Sequence, residues 1–231
     1  MKNIIIKSGL SILLTISTLN AGWSLKVNEN TSYKATVVPK KMSVDEKKQR
    51  FRDLVVPAVN SVYADLDKQY KEVKKIVNAG KSNAKIEKLM KSYSAKDKQD
   101  LLKRLKPHAK SVAIAQAAME SSWATSRFTR VATNLFGVWS FNKHEPRVAA
   151  SQKRGNKTIY VKKYNSVKAS IRDYYRVLAT GRVFGGFRDE KMRSNDPYKL
   201  VKKLDKYSEK GALYGEELTS MIKYNRFYKF D

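Results

Sequence analysis

The chain has 231 residues, enough for one domain with an extension or two small ones, and enough to bury a core without covalent staples. With no cysteine and only 2 histidines it excludes disulfides, thiol catalysis, thiolate metal sites, a lipidated N-terminal cysteine and a histidine-rich metal centre, and no metal or cofactor is expected. A formal charge of +27 favours polyanionic surroundings; no recognised nucleic-acid motif accompanies it, so an anionic cell-envelope surface is the expected partner and nucleic acid is not.

Residues 1–21 read as a secretory signal peptide. Lys2 and Lys7 precede an apolar stretch centred on Ile12–Ile16, and Leu19-Asn20-Ala21 before Gly22 suits cleavage. An exported protein, in the periplasm or cell wall, is expected. The competing reading is an uncleaved anchor, but the apolar stretch is short and contains Ser and Thr. Residues 22–45 are polar and aperiodic and read as a linker. Val55, Val59, Val62, Leu66, Tyr70, Val73 and Val77 then recur at steps of three and four, which predicts one face of a helix stopped by Asn78-Ala79-Gly80. A second helix is expected around Ile86–Met90. A third is expected from Ser94, where Ser94-Ala-Lys-Asp97 resembles a capping box, and it carries Leu101, Leu102 and Leu105. Pro107 ends it or opens the next.

The next helix is expected from about Ala109 to Trp123. Between Ser111 and Ser126 the one charged residue is Glu120. A carboxyl in apolar surroundings has its ionised form disfavoured, which suits a general acid near neutral pH. Helical spacing puts Ala113, Gln116, Ala117, Glu120 and Trp123 near one face, with Gln116 placed to hydrogen-bond the acid. Arg147–Ser151 and Lys157–Val161 flank a Gly155-Asn156 turn and predict a hairpin. Ser166 then caps a helix carrying Val167, Ile171, Tyr174, Tyr175 and Leu178. Gly181 and Gly185-Gly186 mark a loop, Asp196-Pro197 opens a helix over Tyr198–Leu204, and Glu216–Tyr224 is the last helix.

Ala115-Gln-Ala-Ala-Met-Glu-Ser-Ser-Trp-Ala-Thr-Ser-Arg-Phe128, followed by Asn134-Leu-Phe-Gly-Val-Trp139, resembles the signature of bacterial glucosaminidases of glycoside hydrolase family 73. Val55–Val59, Lys163–Tyr174, Lys206–Tyr214 and Met221–Asn225 bring the likeness closest to the Bax-type branch, over roughly residues 48–228. The resemblance implies a mainly α, lysozyme-like α+β fold with a small β-hairpin lobe. It divides the chain into a helical extension (46–106) and a catalytic core (107–231). It also implies a hydrolase that cleaves peptidoglycan glycan strands after N-acetylglucosamine, with Glu120 as general acid; a monomer is expected.

Trp139, Phe136 and Phe141 are candidates for a sugar platform, since aromatic faces stack on pyranose rings. Asn134 is expected to bond an acetamido group or to cap a turn. Tyr207 is expected to approach the acid and place water or sugar, and Tyr164 to line the groove. Trp123 and Tyr214 read as structural, and His108 and His144 as surface or cap residues. One departure from the wider family stands out: no Asp or Glu occurs from Pro146 to Arg172, which leaves Glu145 as the nearby second acid. Assistance by the substrate's acetamido group, a positioned water, and a lytic transglycosylase outcome stay open, as does a non-catalytic wall-binding scaffold.

Overall fold

The structure, a computed structural model, describes residues 25–31, 33–154 and 157–231; the predicted signal peptide and the Gly155-Asn156 turn lie outside these residues. Its first element, α1 (Val44–Asn78), is started by a reciprocal capping box. Ser43 Oγ accepts from Glu46 N at 3.2 Å and Glu46 Oε2 accepts from Ser43 N at 2.7 Å. The predicted stripe of α1 is buried along its length, but against two bodies. Phe51, Val55, Val59, Val62 and Leu66 enter the main core. Tyr70, Val73 and Val77 pack on Ile86 of α2 (Ala84–Tyr93) and on Leu101, Leu102 and Leu105 of α3 (Lys98–Leu105). Fully burying such a side chain contributes about 1.5–3 kcal/mol, so this smaller cluster holds α2 and α3 against α1.

α3 starts later than expected. Ser94 is the left-handed C-cap of α2 (φ 51°), and Asp97 caps α3 by accepting from Asp100 N at 2.7 Å. Residues 25–31 and 33–43 contain no helix or strand and are fastened to α1. Asp53 Oδ1 accepts from Asn28 N at 2.8 Å, and Arg50 donates to the carbonyls of Lys34 and Val37 at 2.8 and 2.7 Å.

The main core surrounds α4 (Lys110–Glu120), which packs on α1 and on α9 (Ala212–Tyr224). Between them in sequence come α5 (Arg127–Ala132), strands β1 (Arg147–Arg154) and β2 (Lys157–Lys162), α6 (Val167–Thr180), α7 (Gly185–Arg193) and α8 (Pro197–Val201). The strands pair antiparallel, Arg147 with Lys162 and Val148 with Val161, with an irregularity between Ala149 and Lys153. Ser166 caps α6 as predicted, accepting from Ala169 N at 3.1 Å. The predicted loop at Gly185-Gly186 is instead the first turn of α7, because Phe184 and Phe187 on either side are buried and hold it there. At Gly215 a Cβ would lie 2.8 Å from the Val201 carbonyl oxygen, so α9 can rest on the end of α8 only with glycine at that position. The architecture is mainly α with a two-stranded hairpin, the expected class.

Candidate active site

Eight consecutive residues of α4, Ser111–Ala118, are buried, and its alanines let neighbouring helices approach closely. The helix stops at Glu120 rather than at Trp123. Ser122, Trp123 and Ala124 all adopt left-handed backbone, with φ of 51°, 63° and 59°. Such a conformation costs a non-glycine residue about 1–2 kcal/mol, so it has to be held from outside. Ser121 Oγ accepts from Ala124 N at 2.7 Å, Ala118 O accepts from Trp123 N at 2.8 Å, and Arg50 Nη1 donates to Ala124 O at 3.2 Å. Trp123 leaves the Glu120 face and packs edge-on against Phe51 at 5.2 Å, with the Lys48 ammonium 5.0 Å from its ring centre. The turn fixes the acid at the very end of α4.

Glu120 is half-buried there, and its pKa is pushed up to about 7, chiefly by burial. The C-terminal pole of α4 adds to this, since its free carbonyls disfavour a carboxylate. Against burial work a hydrogen bond from Tyr214, which donates its Oη–H to Oε1 at 2.8 Å, and the charge of Lys210; the charge of Glu217 works with it. Lys210 in turn grips both oxygens of Glu217 at 2.7 and 2.8 Å. Tyr214 is one link of a directional chain. Tyr174 Oη donates to Gln116 Oε1 at 2.5 Å, Gln116 Nε2 donates to Tyr214 Oη at 2.9 Å, and Tyr214 donates to Glu120. Because Oε1 receives that donation, Oε2 is the oxygen available to carry a proton. Gln116 thus bonds the acid through Tyr214 and not directly.

The other expected site residues separate into two groups. Asn134 is buried, and both ends of its amide are used inside the chain: it donates to Val138 O and Lys162 O at 3.0 and 2.9 Å and accepts from Phe136 N and Val138 N. It braces the turn before the hairpin, and its amide is not offered to a ligand. Phe136 is fully buried, stacked on Tyr174 at 4.0 Å, so it supports the relay and presents no platform. Tyr207 is likewise buried, stacked on Tyr214 at 5.4 Å, and places no surface against a sugar. The roles expected of the two tyrosines are therefore exchanged, with Tyr214 touching the acid and Tyr207 packing behind it. Trp139 remains half-buried beside the exposed Phe141, ring centres 6.1 Å apart, and bridges to Val161 of the hairpin.

Tyr164 is half-buried and donates to Asp173 Oδ2 at 2.7 Å; burial and the Asp173 charge keep its phenol protonated. Asp173 also pairs with Lys162 at 2.9 Å, and Glu145, 4.0 Å from Lys162, accepts from Ser140 Oγ at 2.7 Å. The second acid considered in the sequence is thus tied to the base of the hairpin. Sequence reasoning missed Tyr214, Asp173 and the Lys210–Glu217 pair. Tyr214 and Glu217 are one turn apart on α9, and that spacing was the available signal. His108, expected at the surface, is buried.

Comparison with known proteins places the chain in a family. The Glucosaminidase profile, described as mannosyl-glycoprotein endo-beta-N-acetylglucosaminidase, matches residues 95–227. The chain belongs to that family. No curated protein matches it. Among solved structures, the catalytic domain of the autolysin Auto from Listeria monocytogenes is 20% identical, over 83% of this chain and 92% of that one, with a TM-score of 0.48. An N-acetylmuramoyl-L-alanine amidase from Staphylococcus aureus is 20% identical over 77% of this chain and 43% of that one, at 0.45. A peptidoglycan hydrolase from Sphingomonas sp. A1 is 18% identical over 57% and 86%, at 0.44.

Proposed function

We propose that the chain is an exported endo-β-N-acetylglucosaminidase of the Bax-type branch, cleaving peptidoglycan glycan strands after N-acetylglucosamine with Glu120 as general acid. One observation carries the reading: a half-buried carboxyl with its pKa near 7 ends a core helix, donated to by Tyr214 on one oxygen and open to a proton on the other. In the reaction Glu120 gives that proton to the glycosidic oxygen as the C1–O bond breaks and oxocarbenium-like charge builds. The Tyr214 bond then strengthens, because its acceptor becomes a full carboxylate, so it favours the later state over the earlier one. Trp139 and Phe141 offer aromatic surface for a pyranose, and Tyr164 is assigned to line the groove. The basic surface holds the protein on the anionic wall, and residues 1–21 direct export.

A second reading has its own observation. Glu145, the partner acid considered from the sequence, already has a cation in Lys162, which Asp173 shares, and Glu217 is held by Lys210. A site in which, among the described residues, the carboxylates around the neutral acid are paired with cations also suits a lytic transglycosylase. Mass spectrometry of digested peptidoglycan separates the two. Reducing N-acetylglucosamine ends are expected, with Glu120→Gln slower by about 10²–10⁴-fold while fold and wall binding persist. Anhydro-muramic ends would assign the transglycosylase. No products from the unaltered chain, with binding intact, would leave a wall-binding scaffold.

A further inference from the structure

α6 separates two surfaces. On one side Tyr174 joins the relay to Glu120. On the other, Arg172, Asp173 and Arg176 face a groove of about 450 Å³ whose opposite wall is built from α1, α2 and α3; Glu120 does not line it. Leu66, Leu89 and Leu105 give the groove an apolar floor. Its charged lining is Arg104, Lys106, Arg172, Arg176 and Lys191 against one carboxylate, Asp173.

That carboxylate is already shared by Lys162 and Tyr164. Arg104 and Arg172 have partners of their own in Asp100 and Asp65. Among the described residues the other three cations have no carboxylate. Lys106 and Lys191 each donate Nζ–H to the other's main-chain carbonyl at 2.5 Å, and Arg176 donates to Ser92 O and lies 4.9 Å from the Tyr93 ring centre. Lys191 is only 3% exposed. A solvated surface lysine keeps its water; Lys191 has lost it, and among the described residues no carboxylate stands beside it, so burial disfavours its charged form and an arriving anion would favour it.

We propose that this groove binds an acidic peptide segment of a partner protein, whose carboxylates reach Arg176, Lys106 and Lys191 while its apolar side chains cover the leucine floor. The volume lies within the range of ligand sites. A planar guanidinium such as that of Arg176 suits a carboxylate. Gln69, also in the lining, offers an amide that a peptide backbone can use and a lipid chain would leave unpaired.

The probe is a fluorescein-labelled, acetylated octapeptide of alternating Leu and Glu, followed by anisotropy at about 0.15 M salt, where exposed charges are screened beyond about 8 Å. Saturable binding is expected, weakened about tenfold or more by Arg176→Glu and by Lys191→Met, and less than about twofold by Lys199→Glu with Lys223→Glu, although that pair removes more charge than either. Arg176 is exposed, so its variant is expected to melt as the parent does and to keep wall cleavage. Equal weakening by the Lys199/Lys223 pair would reduce the effect to net charge and overturn the proposal. Equal binding of a Leu–Lys octapeptide would overturn it as well. So would Arg176-dependent binding of anionic phospholipid vesicles or duplex DNA in place of the peptide.

Discussion

The two ends of α4 carry buried ionisable groups that respond to burial in the same way and are built for different ends. Before its first turn, His108 is buried and its pKa is pulled down to about 3, by desolvation first and by the charge of Lys191 second. Rings enclose it: Tyr175 stacked at 4.4 Å, Tyr174 and Phe187 edge-on at 5.6 and 5.2 Å. At the far end Glu120 is pushed up to about 7, again by desolvation. There the group is half-buried, one oxygen receives an oriented O–H, and a cation lies near enough to act on it. A displaced pKa is common to both ends. Access, and a hydrogen bond prepared for the ionised product, belong to one.

The contrast breaks most sharply at Glu120. Besides losing cleavage, Glu120→Gln is expected to gain stability. The native pKa, about 7, lies above the ordinary 4.5, so between those values the unfolded chain releases its proton first and stability falls as pH rises. Glutamine has no proton to release. The variant is expected to exceed the parent by about 1–3 kcal/mol at pH 8 and to match it near pH 4, as read by thermal melts. A less stable variant at pH 8 would show that the carboxyl is not held neutral.

Tyr214→Phe comes next, with cleavage expected to fall about 10–100-fold. Tyr214 favours the ionised form, so its loss raises the Glu120 pKa and moves the alkaline limb of the rate profile upward. An unmoved limb would remove Tyr214 from the site. Smaller shifts of opposite sign are expected from Lys210→Met, upward, and Glu217→Gln, downward, because these groups act through space. Shifts in the same direction would count against the assignment of both.

Glu120 was legible because an isolated carboxylate in a long uncharged run has few structural excuses. The apolar stripe of α1 and the cap at Ser166 were legible because period and cap chemistry are local. The end of α4 was not, since three consecutive left-handed residues follow from Arg50, 74 positions away, and from Ser121. Nor was the choice of tyrosine. Tyr207 and Tyr214 carry the same chemistry seven residues apart, and the approach of α9 to α8 at Gly215 helps decide which one meets the acid. Asn134 and Phe136 read as ligand contacts because polar and aromatic side chains near a signature serve as well for bracing a turn as for holding a sugar.

The smallest effect on catalysis is expected at the other end of α4. His108→Phe keeps a ring among Tyr174, Tyr175 and Phe187 and removes a buried Nε2 that has no partner. The native pKa, about 3, lies below the ordinary 6.5, so as pH falls through that window the unfolded chain takes up the proton first and stability is lost. Phenylalanine abolishes that loss. Melting temperatures of the variant should therefore decline less than those of the parent between pH 6.5 and 4. Lys191 titrates in a separate window, from its ordinary 10.5 down to about 7, so Lys191→Met flattens the profile above neutrality and His108→Phe below it. Cleavage by His108→Phe is expected to stay within about twofold of the parent, since the ring touches no part of the acid. A larger loss would mean that the two ends are not independent. The route would be Tyr174, which packs on His108 with its ring and donates to Gln116 with its hydroxyl, and the box around the histidine would then set the position of the relay.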